Sequence, residues 1–191
     1  MRVFGLMLLG SLFGCVTQEQ KVSFPAEILV IRHAEKATDG EPSVDLSTIG
    51  KKRAEALHGL FTKSETRTDP FPKPDFIFAA KNSKQSHRSL ETVAPLARKL
   101  GVDMNSEFRS EDFAMLANEL FQNPKYQGKT ILICWRHGEM PALAMALKAK
   151  NGVPEKVKSS AFDRVWVITY EKGKAVFSDR PQQLLPGDSE M

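Results

Sequence analysis

At 191 residues the chain has the length of about one domain, enough to bury a real core. A composition of 41% hydrophobic and 26% charged residues is ordinary for a globular protein. The formal charge of +4 and pI near 9.1 come without a block of like charges, which excludes a nucleic-acid footprint but would attract anionic substrates.

Residues Met1 to Val16 read as a targeting segment rather than as fold. Arg2 is a minimal positive region, and the apolar run Val3 to Phe13 is too short to span a membrane. Its end, Leu12-Phe13-Gly14-Cys15, resembles a bacterial lipobox. That resemblance implies a lipidated Cys15, a tether over residues 16–25 and a domain over 26–191, exported and held on the cell envelope. Cys134 would then be the only other cysteine, so no intrachain disulfide is expected.

The run Ile28-Leu29-Val30-Ile31 reads as a strand buried on both faces, ending at Arg32-His33. Side chains at that end would emerge where open α/β sheets place their ligands. A polar loop follows, and Asp45 or Ser47 caps a helix to about Phe61, with Ala54, Leu57, Leu60 and Phe61 on one face. His58 on that helix reads as a surface residue.

Asp75 to Ala80 is a second buried strand. Arg88 then opens a helix to about Leu100, near a helix N-terminus that favours anions. Pro95 should sit in an early turn or kink this helix, and Gly101 should end it. A short strand is expected within Met104–Phe108. Ser110 should cap a helix whose stripe is Phe113, Leu116, Ala117 and Leu120.

Gly128-Lys129-Thr130 imitates the end of a phosphate-binding loop, but its first glycine is missing and a strand follows where a helix is required. That strand, Thr130 to Trp135, delivers a second pair, Arg136-His137. Cys134 within it reads as a small core residue. Met140, Leu143, Ala144 and Leu147 stripe the next helix, residues 164–177 form a hairpin at the sheet edge, and the tail from Arg180 reads as irregular. Strands alternating with helices predict a three-layer α/β/α sandwich around a mostly parallel sheet.

Four segments taken together resemble the histidine phosphatase (phosphoglycerate mutase-like) superfamily. They are Arg32-His33 after a hydrophobic strand, Leu46-Ser47-Thr48-Ile49-Gly50-Lys51-Lys52-Arg53-Ala54, Arg88-Ser89-Leu90-Glu91-Thr92, and His137-Gly138. The match runs from about Glu27 to the end of the chain. One departure stands out: Ala34 follows the first histidine where most members carry glycine, so a standard mutase is not expected.

The resemblance implies His33 as a nucleophile that forms a phosphohistidine, with Arg32, Arg88 and a protonated His137 as phosphate ligands. It implies neither cofactor nor metal. Two histidines binding zinc would lack a third ligand at a recognisable spacing. Glu139 is the first candidate for the general acid, Glu35 the second, and Glu111 or Asp112 could also approach. The implied activity is a metal-independent phosphatase acting on phosphorylated small molecules or phosphoproteins. The alternatives are a non-catalytic phosphate-binding or scaffold lipoprotein of the same fold, and a mutase-type phosphotransferase.

Overall fold

The computed structural model describes residues 23–37 and 43–190. The lipobox with Cys15, and part of the polar loop after Arg32-His33, lie outside the described residues. Six strands form one sheet in the order β3-β2-β4-β1-β5-β6. They are β1 (Glu27–Arg32), β2 (Phe76–Ala79), β3 (Met104–Asn105), β4 (Thr130–Trp135), β5 (Arg164–Glu171) and β6 (Lys174–Pro181). The first four run parallel, and β5 and β6 are antiparallel to their neighbours.

Four helices cover the sheet: α1 (Thr48–Ala56), α2 (Arg88–Leu100), α3 (Phe113–Gln122) and α4 (Met140–Ala146). Because strand side chains alternate between faces, β1 contributes to two cores at once. Ile28 and Val30 pack with Leu116, Leu120, Leu143 and Leu147 of the α3–α4 layer. Leu29 and Ile31 pack with Leu57, Leu60, Val93 and Leu96 of the α1–α2 layer. This is the expected three-layer sandwich with a mostly parallel sheet.

The register of β1 on β4 decides where chemistry can occur. Arg32 lies opposite Trp135, and the His33 amide donates to the Trp135 carbonyl at 3.1 Å, one residue past the ladder. Beyond this point the chain leaves β1 toward α1 on one face and leaves β4 toward α4 on the other. The divergence opens the crevice in which α/β sheets hold ligands.

Several boundaries depart from the sequence reading. Ser47 alone caps α1, its Oγ accepting from the Gly50 amide at 3.1 Å, and the helix tightens to a 3-10 turn over Leu57–Phe61. Helix α2 runs unbroken through Pro95 and ends at Gly101, whose φ of 67° is left-handed. Asp112, not Ser110, stands at the head of α3. Ser110 is instead drawn to the end of β4, where its carbonyl accepts from Trp135 Nε1 at 3.0 Å and its hydroxyl accepts from Arg136 Nη1 at 3.2 Å.

Packed chain also starts earlier than residue 26. Phe24 stacks on Tyr170 at 4.6 Å between centroids and meets Phe121 edge-on.

The tail is not loose. Arg180 and Pro181 complete β6, and the residues after them fold back over α1. Arg53 is buried, and its guanidinium fork holds Glu35 at 2.8 Å and Asp188 at 2.7 Å, while Nη1 also reaches Gln182 Oε1 at 3.2 Å. One cation thus joins the segment after His33, helix α1 and the C-terminal tail.

The same segment leaves no room beside Gly50. A Cβ placed there would lie 2.3 Å from the Glu35 carbonyl oxygen. Alanine would gain roughly 0.5–1 kcal/mol as a helix former, less than the cost of pushing backbone aside. We expect Gly50→Ala to destabilise the fold by about 1–3 kcal/mol in urea unfolding. An unchanged midpoint would show that the Glu35 segment yields freely.

Candidate active site

His33 is 3% exposed and its Nδ1 lies 2.8 Å from the Ala34 carbonyl oxygen. A carbonyl can only accept, so Nδ1 carries the hydrogen and Nε2 keeps its lone pair. The Ala34 amide in turn donates to Thr92 Oγ1 at 2.9 Å, and that hydroxyl donates to the Arg88 carbonyl at 2.7 Å. The first turn of α2, which carries Arg88, is therefore tied to the backbone that orients His33.

Burial pushes the His33 pKa down to about 4; the Ala34 hydrogen bond opposes this, and Arg32, Arg88 and His137 reinforce it. The imidazole is neutral and nucleophilic at pH 7. His137 is also held below its ordinary value, mainly by burial and then by Arg32, Arg136, Lys36 and Arg88. These surroundings disfavour the protonated His137 expected from the sequence. An arriving anion would supply the opposing charge.

Arg32 is 4% exposed at the end of β1. Its Nη1 donates to the carbonyls of Lys158, Ser159 and Ala161 at 3.3, 2.8 and 3.1 Å, and the guanidinium lies 3.8 Å from the Phe162 ring centroid. Burial, then Arg88, lowers its pKa to about 10, so it stays charged. Arg88 donates from Nη1 to the Ser43 carbonyl at 2.9 Å.

Each of these two guanidiniums retains a buried Nε–H with no hydrogen-bond partner among the described residues. Native interiors seldom leave such donors unpaired. Arg88 depresses Arg32, His33 and His137, and Arg32 depresses both histidines, which marks the four as neighbours in one electropositive cluster. No carboxylate among the described residues makes an ion pair with any of the four. A planar fork with free donors suits a phosphate, to which it can bind through two oxygens.

Arg136 is a further cation that the sequence analysis left without a role. It depresses both Arg88 and His137. The signal was available: it precedes His137 as Arg32 precedes His33.

The acid candidates separate clearly. Glu35 is bound through both oxygens to Arg53 Nε and serves that fork. Asp112 is held below the usual carboxylate range by hydrogen bonds from Arg109. Neither is suited to donate a proton. Glu111 accepts from Ser110 Oγ at 3.2 Å and faces Arg136 across a small polar pocket of about 290 Å³. Glu139, at the head of α4, sits 3.8 Å from Arg136 Nε and keeps one buried oxygen without a hydrogen-bond partner.

Cys134 is buried and its thiol is pushed up to about 12, which removes it as a nucleophile. Among the described residues, one group of three could hold a metal ion, Asp45, His87 and Glu91, and it contains neither His33 nor His137. His87 Nδ1 is 2.9 Å from Asp45 Oδ1, and Glu91 accepts the Leu46 amide at 2.8 Å. The group thereby fastens residues 45–46 to the start of α2.

No protein-family model matches the chain, and no curated protein matches it. Solved structures do. The chain is similar to a protein assigned as the phosphohistidine phosphatase SixA of Agrobacterium tumefaciens, at 20% identity and a TM-score of 0.52 over 81% of this chain and 99% of that one. The chain has the phosphoglycerate mutase-like fold. It is also similar to a mycobacterial glucosyl-3-phosphoglycerate phosphatase, at 11% identity and TM-score 0.56 over 82% and 97% of the two chains. A third is a phosphoserine phosphatase variant from Entamoeba histolytica with phosphoserine bound, at 13% identity and TM-score 0.56 over 83% and 98%.

The neutral state of His33 has a consequence for stability. Above pH 6.5 the imidazole is uncharged in both folded and unfolded chains; below it the unfolded chain takes up a proton that the folded one refuses until about pH 4. Stability should therefore fall across that window. Between pH 7 and pH 5 the wild type should lose about 2 kcal/mol more than His33→Gln in urea unfolding. Equal losses would mean that His33 titrates as an exposed imidazole.

Proposed function

We propose that the protein is a metal-independent phosphatase that works through a phosphohistidine on His33. The observation that carries this reading is the pairing of a buried, neutral imidazole, fixed as the Nδ1–H tautomer, with two arginines whose buried Nε–H groups lack partners.

The Nε2 lone pair attacks phosphorus as the bond from phosphorus to the leaving oxygen breaks. The departing oxygen takes a proton from a carboxylic acid, for which Glu139 is the candidate. Water then attacks the phosphohistidine, the phosphorus–nitrogen bond breaks, and the proton lost by water returns to the carboxylate. The transferring group is loose and highly charged, so most of the acceleration comes from placing Arg32, Arg88, Arg136 and His137 around it. His137 becomes protonated as the anion arrives.

Substrates are phosphomonoesters or phosphorylated protein groups. A purely phosphate-binding role would use the arginines but not a neutral nucleophile aligned by a backbone carbonyl. We further propose that Cys15 is lipidated and holds the domain on the cell envelope. The support for this is the sequence itself, in which the apolar run Val3 to Phe13 leads into Leu12-Phe13-Gly14-Cys15.

Purified protein lacking residues 1–20 should release phosphate from aryl phosphates in EDTA. His33→Ala should lower kcat/KM by about 10³-fold or more, and Arg88→Ala by roughly 10²-fold. Turnover that needs a metal or survives His33→Ala would contradict the mechanism. Glu139→Gln should slow alkyl phosphates about 10²-fold while sparing phosphohistidine, whose leaving group needs less help. Equal effects on both would remove Glu139 as the acid. Mass spectrometry of the mature N-terminus decides the anchor, because an unprocessed Met1 would end that proposal.

A further inference from the structure

Beside the cationic cluster lies an open cleft of about 1330 Å³, walled by the segment after His33, by α1, by the loop 158–163 and by the tail residues 185–189. It adjoins the reacting groups without containing them. Phe162 in its wall stacks on Arg32 and lies 6.2 Å from the His33 ring, and Lys36 in its wall depresses His137. The cleft offers room for the rest of a substrate whose phosphoryl group is seated at His33. The volume exceeds the roughly 300–1,000 Å³ typical of small-molecule pockets.

The charges of the cleft are of two kinds. The carboxylates are engaged: Glu35 and Asp188 by Arg53, and Asp163 by the Ser189 amide at 2.6 Å. The lysines are not. Lys36, Lys51 and Lys158 are exposed and make no ion pair among the described residues. They belong to three separate elements, whereas a small second phosphate would need converging donors such as those of Arg32 and Arg88. Ile49, 54% exposed, adds an apolar contact in the same wall.

Resting on the phosphatase reading above, we propose that the substrate is a phosphorylated polypeptide. The acidic residues flanking its phosphorylated side chain lie in this cleft against Lys36, Lys51 and Lys158. Lysines spaced around an open cleft match carboxylates spaced along a chain. Attraction between rim charges acts mainly on encounter and on KM, and salt weakens it.

The test compares three substrates of the full-length protein: a phosphotyrosine peptide with acidic flanks, the same peptide with neutral flanks, and p-nitrophenyl phosphate. Both leaving groups are phenolic, so the comparison does not depend on the general acid. The variant is Lys51→Glu, which touches none of the reacting groups, with thermal melting to confirm its fold. The wild type should show a KM about ten-fold lower for the acidic peptide, a gap that narrows as salt rises. Lys51→Glu should shrink that preference with kcat retained, and should turn over p-nitrophenyl phosphate as the wild type does. Equal KM values for the two peptides in the wild type, or a preference that Lys51→Glu leaves undiminished, would overturn the inference. If p-nitrophenyl phosphate is turned over through His33 and neither peptide is, the polypeptide proposal fails and the phosphatase reading stands. If nothing is turned over through His33, the underlying reading fails as well.

Discussion

The parallel ladder between β1 and β4 fixes where the two Arg-His pairs leave the sheet. Two apolar strands pair from Glu27 with Thr130 to Arg32 with Trp135, and their polar continuations emerge side by side. His33 is locked one step past the ladder by its own amide and by the Ala34 carbonyl. A slip of one residue would send His33 to the opposite face and bury the wrong neighbours. Burial of Ile28, Leu29, Val30 and Ile31 on both faces resists such a slip, because either face would lose large side chains from a close-packed core.

On that frame the protein gathers cations that repel one another. Burial and mutual repulsion both disfavour charge, and the histidines respond by staying neutral while the arginines cannot. Unpaired buried donors are costly in a folded chain. An anion would relieve the repulsion, satisfy the free Nε–H groups and favour protonation of His137 together. Binding of such an anion would recover the stability given up by the unliganded cluster.

Much of this was legible in the sequence because its signals are local. Short unbroken apolar runs announced β1, β2 and β4, Gly101 marked the end of α2, and the repeated Arg-His pair pointed to a shared pocket. The order of four short motifs placed Arg88 beside that pocket. The contacts that were missed join residues far apart in the chain. Arg53 reaches Asp188 across 135 positions, and nothing near Asp188 signals that partnership. The same fork withdraws Glu35 from acid chemistry, although its position two residues past His33 had suggested a role. Ser110 has the side chain of a helix cap but is claimed by Trp135 and Arg136, so Asp112 takes the position. Tertiary partners outbid local preference in each case.

The most direct measurement is rapid chemical quench of the protein with an aryl phosphate, followed by mass spectrometry of its peptides. The account predicts a phosphoryl group on the peptide containing His33, stable in base and labile in acid, that forms faster than steady-state turnover and is absent from His33→Ala. A phosphoryl group found on another residue would contradict it. So would turnover that proceeds with His33 unmodified throughout the reaction.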